Sequence, residues 1–162
     1  MRVFIFLLIL LPVNGLTQEL PEWAKQRLEA HKNIFKVNND FNPTFYVADF
    51  DGDDIPDIAI AVKNKLRDNM SGVIFYLGNQ THFLAGGANG FGNAGGDFSW
   101  VDEWKIFDKE KTYRITFEEN GDIKGDEEVL LINPAISIRQ SEGSGGLIYF
   151  NGEKFIWIHQ GG

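Results

Sequence analysis

The sequence predicts a mainly β fold: a small antiparallel β domain with one N-terminal helix. Three observations lead there. Apolar or alternating runs of four to six residues recur at near-regular spacing, separated by Gly, Pro, Asn and Asp. Helical periodicity is confined to one segment near the start. Cysteine is absent, so no disulfide can form, and 14 Phe, 4 Tyr and 4 Trp must supply the core of a chain of 162 residues.

The helix is expected from Pro21 to His31. Pro21 suits a first helical turn and Glu22 favours the helix dipole, while Trp23, Ala24, Leu28 and His31 form one stripe. Strands are expected at 45–48, 58–62, 72–77, 112–117, 128–132, 135–138, 146–150 and 153–158. Asn151-Gly152 marks a hairpin, because Asn-Gly accepts the positive φ angles of a type I′ turn.

Ahead of the helix, Met1-Arg2 leads into an uncharged apolar run from Val3 to Leu11, then Pro12. One positive charge and a run far shorter than the roughly 20 apolar residues of a membrane span have the layout of a secretory signal. Cleavage is expected after Gly15 or Thr17, leaving one β-rich domain over 18–162, secreted or periplasmic, with no membrane span in the mature form. Losing Arg2 takes the net charge from −8 to −9. That excess acidity excludes nucleic acid and anionic membrane surfaces as partners, since both are held by Lys and Arg. It fits a protein that handles cations.

Residues 49–57, Asp-Phe-Asp-Gly-Asp-Asp-Ile-Pro-Asp, concentrate that charge, with carboxylates at Asp49, Asp51, Asp53, Asp54 and Asp57. Unneutralised, they repel one another. Ca²⁺ would reverse the balance, because it takes six to eight oxygen ligands at about 2.3–2.6 Å in flexible geometry. Asp49, Asp51, Asp53 and Asp57 can converge on one centre, Gly52 permits the turn, and position 55 can offer its carbonyl. Zinc is disfavoured by the lack of nearby His or Cys, and Mg²⁺ by its stricter octahedron. A helix–loop–helix calcium hand is excluded, because Ile60 stands where the bidentate Glu belongs and strands flank the loop. The alternative is a solvated acidic turn without metal.

Residues Ala48 to Ile60 resemble the calcium loop of FG-GAP and VCBS repeats, an Asp-x-(Asp/Asn)-Gly-Asp-Gly-x-x-Asp pattern followed by an apolar strand. The resemblance covers under a tenth of the chain. It implies Asp49, Asp51, Asp53 and Asp57 as side-chain ligands, Ile55 as a backbone ligand, and a propeller-type calcium loop between two strands. Asp54 replaces the family's usual Gly, which often takes a left-handed conformation that Asp tolerates better than most residues. Only one such loop is present, too few for a propeller.

Residues 86–96 are glycine-rich and contain Gly90-x-Gly92-x-x-Gly95. Without a following helix this is no dinucleotide fingerprint. Phe91, Asp97 and Trp100 mark the segment as a candidate ligand-contact loop, aromatic faces beside a carboxylate suiting a sugar; the competing reading places its aromatics in the core. Asn120-Gly121-Asp122 reads as a hairpin turn, and Ser144 lacks the setting of a nucleophile elbow. The expected function is a non-catalytic, calcium-binding module of adhesion type, contacting a glycan or another exported protein. The alternative is a small hydrolase of polysaccharide or peptidoglycan using Asp97, Asp102, Glu103 or Glu142 near the glycine-rich loop.

Overall fold

A computed structural model describes residues 19–161. The expected leader and its cleavage sites lie outside the described residues. One helix, α1 (Glu22–Ala30), precedes eleven strands, all paired antiparallel. The expected mainly β class with an N-terminal helix is what the chain adopts.

The first sheet is built on β3 (Asp57–Asn64). On one side β3 pairs with both β1 (Phe35–Val37) and β2 (Phe45–Ala48), which share its edge end to end. On the other side it pairs with β4 (Met70–Tyr76), followed by β5 (His82–Gly86). The second sheet runs β11 (Phe155–Gln160), β10 (Gly145–Phe150), β9 (Ala135–Arg139), β6 (Glu103–Phe107). A separate hairpin, β7 (Lys111–Phe117) and β8 (Ile123–Leu130), is inserted between β6 and β9.

The two sheets pack face to face. Ala59, Ala61, Val73, Phe75 and Ala85 of the first meet Trp104, Ile136, Ile138, Ile148 and Phe155 of the second. Phe155 is the hinge of this core, with ring centroids 4.5 Å from Phe75 and 4.7 Å from Phe83. Because side chains alternate across a strand, Ile58, Ile60, Val62, Ile74 and Tyr76 point to the opposite face, where Ala24 of α1 and Phe35 cover them. β3 and β4 are therefore buried on both faces, which is why 58–62 reads as unbroken apolar sequence rather than as an alternation.

Several elements differ from the sequence reading. β1, β5 and β6 were not expected. The strand expected at 128–132 is displaced to Ile123–Leu130, and Ile132 is 79% exposed. The β10–β11 connection is a four-residue loop, with Phe150 opposite Phe155, rather than a two-residue turn. Asn151 causes this: its Oδ1 accepts the backbone N–H of Glu153 at 3.1 Å and of Lys154 at 2.9 Å, wrapping the loop on itself.

Candidate metal centre

The acidic loop joins β2 to β3. Asp49 organises its first half: Oδ1 accepts the N–H of Gly52 at 2.7 Å and Asp53 at 3.1 Å, and Oδ2 that of Asp54 at 2.9 Å. A chain folded this tightly around one carboxylate must reverse direction, and Gly52 and Asp54 do so with φ of 79° and 63°. Asp54 thus takes the left-handed conformation expected of the position. Gly52 also leaves room for Asn133, whose Oδ1 would lie 2.6 Å from a Cβ there.

Asp57 anchors the second half from the head of β3. It is fully buried. Its Oδ2 accepts from Phe50 N at 2.7 Å and Asp51 N at 3.3 Å, and its Oδ1 from Gly78 N at 2.7 Å. Between the two anchors, Phe50 leaves the acidic run and enters the inter-sheet core, edge-on to Phe75 at 5.3 Å.

These anchors bring Asp49, Asp51 and Asp57 together, each with a carboxylate oxygen within 4.8 Å of the others. Two oxygens on one Ca²⁺ lie no further apart than twice a Ca–O bond of about 2.4 Å, a condition that every pair of the three meets. Asp53, expected as a fourth side-chain ligand, lies outside this set, and its Oδ1 accepts the N–H of Ile55 at 2.8 Å. Ile55 turns a 48% exposed side chain towards Gly78. Among the described residues this is the one cluster of three or more His, Cys, Asp or Glu able to hold a metal. Oxygen donors with no imidazole or thiolate suit a hard cation.

Convergence perturbs the carboxyls. Partial burial pushes Asp51 up to about 6, with the negative charges of Asp57 and Asp53 adding to it. Burial also raises Asp57, against the opposing pull of its bonds from Gly78, Phe50 and Asp51. Without a cation, Asp51 and Asp57 hold protons more readily than ordinary carboxylates.

Two contributors escaped the sequence reading. The backbone of Gly78 and the side chain of Asn79, whose Nδ2 donates to Asp51 Oδ2 at 3.1 Å, both come from the β4–β5 turn. Gly-Asn between apolar runs signals a turn, but not that it folds against the acidic loop.

Each residue of the candidate ligand-contact loop has partners within the fold. Phe91 is 9% exposed in the inter-sheet core, edge-on to Phe83 at 5.6 Å. Asp97 accepts from Ser71 N at 2.8 Å, Ser99 N at 3.1 Å and Ser99 Oγ at 3.0 Å, pinning the glycine-rich segment to β4. Trp100 donates its indole N–H to Ala94 O at 3.3 Å. The carboxylates of the hydrolase alternative are likewise engaged or apart: Asp102 binds Ser141 N and Oγ at 2.7 Å each, and Glu103 faces Arg139 at 4.0 Å. Asn120 caps the N–H of Asp122 at 3.1 Å in the β7–β8 turn, as expected of a hairpin.

No protein-family model, no characterised protein and no solved structure matches the chain. Among the described residues no helix is long and apolar enough to cross a membrane.

Proposed function

We propose that the chain is an exported, non-catalytic binding module whose loop 48–60 is a single FG-GAP/VCBS-type calcium site. The observation that carries this is the meeting of Asp49, Asp51 and Asp57 at the head of β3. Ca²⁺ acts as a structural clip: it neutralises carboxylates that are otherwise mutually repulsive and locks β2, β3 and the β4–β5 turn together. The Ile55 carbonyl, Asp53 after a local shift, and water complete the oxygen shell by analogy with the family loop. The apolar leader at 1–17 supports export, where free Ca²⁺ is abundant enough to fill a site built from one short loop. The engagement of Asp97 and Asp102 in backbone and serine contacts favours binding over hydrolysis, with a glycan or another exported protein as ligand.

The test is calorimetric titration with Ca²⁺ combined with thermal melting in chelator. A single site saturated a hundredfold above its Kd adds about 2.7 kcal/mol. For a domain of this size that raises Tm by roughly 5–10 °C. Absence of heat and an unchanged Tm in chelator would remove the metal from this reading. Asp49→Asn, outside the buried anchor, is expected to abolish binding and to lose a backbone bond within the loop while leaving the two sheets folded.

A further inference from the structure

β11 is the outer strand of the second sheet, and among the described residues it pairs with β10 alone. The turn shows which of its backbone groups that pairing uses. Asn151 N donates to Lys154 O at 3.1 Å, and from there the ladder runs without a shift from Phe150 opposite Phe155 to Gly145 opposite Gln160. In an antiparallel pair, opposed residues alternate between exchanging hydrogen bonds and exchanging none. Ile156, Ile158 and Gln160 therefore bond to β10. Phe155, Trp157 and His159 turn their N–H and C=O groups the other way, off the edge of the sheet.

Native proteins blunt such edges with charge, proline, a bulge or a cover. β6, at the opposite edge of the same sheet, carries Glu103 and Lys105. β11 holds no Lys, Arg, Asp, Glu or Pro, and its register has no bulge. An open groove of about 450 Å³ lies beside it, bordered by Phe155, Trp157 and His159. The other walls come from Gly92 and Asn93 and from Arg114, Ile115 and Phe117 of β7.

The groove selects its occupant. A row of alternating donors and acceptors is matched by a polypeptide in extended form, which adds to the edge as a further strand. Charge narrows the choice. In a chain of net charge −8, Arg114 and Lys154 border the groove and, among the described residues, no Asp or Glu does. Glu127 holds Arg114 through Nε at 3.2 Å and Nη2 at 2.9 Å, which leaves Nη1 to take a second carboxylate. Lys154 is exposed and makes no ion pair among the described residues. Phe117, 41% exposed, and Ile115 offer apolar contact. A strand whose side chains alternate between acidic and apolar meets both demands. A second copy of this chain would bring its own Arg114 and Lys154 to the same place, because a two-fold interface uses one patch twice.

We propose that β11 is a docking edge: an extended acidic–apolar segment of another exported protein adds to Phe155–His159 as a further strand, with its carboxylates on Lys154 and Arg114 and its apolar side chains against Ile115 and Phe117. This rests on the reading of the protein as a binding module, names the kind of partner, and is independent of the calcium loop.

The probe is a blocked hexapeptide of alternating Val and Glu. Its controls are the Val/Lys counterpart and an N-methylated copy that keeps the side chains but loses alternate N–H donors. Amide exchange is followed by NMR, in Ca²⁺ and again in chelator. In the free protein the N–H groups of Phe155, Trp157 and His159 are expected to exchange well ahead of those of Ile156 and Ile158. Val/Glu peptide at ten times its Kd is expected to slow the first three about tenfold, and the N-methylated copy to leave them unchanged. Lys154→Glu, on an exposed loop, is expected to weaken the Val/Glu peptide about threefold and to strengthen the Val/Lys one. Edge amides already protected in the dilute free protein overturn the proposal, as does a Val/Glu peptide that fails to slow them at millimolar concentration. Equal slowing by the N-methylated copy overturns strand addition. Slowing that follows protein concentration without peptide assigns the edge to a second copy and overturns the proposal as well. Calcium heat without peptide protection removes this edge alone; peptide protection without calcium heat leaves the edge standing and removes the metal from the proposed function.

Discussion

Asp57 Oδ1 accepts the backbone N–H of Gly78 at 2.7 Å, joining the acidic loop to a turn 21 residues away. Because Oδ2 holds Phe50 and Asp51 as well, this carboxylate is a structural crosspiece before any metal is considered. Asp57→Ala leaves three backbone N–H groups without their acceptor and is expected to destabilise the metal-free protein by about 3 kcal/mol. Denaturant unfolding in chelator measures it. An effect below about 1 kcal/mol would show that water replaces the carboxylate freely.

Gly78 is equally constrained from the other side. A Cβ at this position would sit 2.6 Å from Ile55 Cβ. Gly78→Ala is therefore expected to push the loop outward and cost about 1–3 kcal/mol. Ile55→Gly in the same chain, which removes that Cβ, should restore part of that loss, and a double-mutant cycle by chemical denaturation reads the coupling. Additive effects would mean that the two residues do not meet.

The titration of the loop gives opposite pH trends with and without metal. Asp51 is raised to about 6 from the ordinary 3.8, so the folded metal-free protein binds its proton more tightly than the unfolded chain does. That contribution is fully present below about pH 4 and is lost as pH rises through about 6, and the raised Asp57 acts in the same direction. Metal binding needs the same oxygens deprotonated, so Ca²⁺ affinity should weaken as pH falls below about 6. Melting curves with Ca²⁺ and with chelator are expected to converge near pH 4 and separate towards pH 8. In Asp51→Asn the metal-free curve should lose much of its slope between those limits.

Asp54 supplies a fourth expectation. Its φ of 63° is a conformation that glycine adopts without strain. Its side chain lies outside the three-carboxylate set. Asp54→Gly is expected to stabilise the protein by about 0.5 kcal/mol with Ca²⁺ affinity little changed. Clear destabilisation would mean that the Asp54 side chain makes a contact worth more than the strain it imposes.

What could be read in advance divides along physical lines. The strands at 58–62, 72–77 and 146–150 were legible because burial on one or both faces leaves a strong apolar signature. β8 was misplaced because its residues are mostly exposed on both faces, and Lys124, Asp126, Glu127 and Glu128 erase any alternation. β1 is only three residues long, and β6 places Glu103 and Lys105 among its aromatics. In the acidic loop, spacing located the carboxylates, and the resemblance to the repeat loop pointed to a left-handed residue 54. It could not reveal that Asp53 turns back to Ile55, nor that Gly78 and Asn79 arrive from another turn. In the glycine-rich segment, Phe91 belongs to the core, as the competing reading held, and Trp100 packs against it.

The double burial of β3 and β4 orders how the molecule comes apart. α1 and the second sheet cover opposite faces of the same two strands through separate clusters of side chains, so one cover can lift while the other stays. Amide exchange should therefore be stratified: α1 protons first, the outlying β7–β8 hairpin with them, and those of Ile58–Val62 and Val73–Tyr76 only when the whole molecule opens. A cation at the head of β3 would slow the last of these classes most, because Asp57 begins the strand with which β1, β2 and β4 all pair.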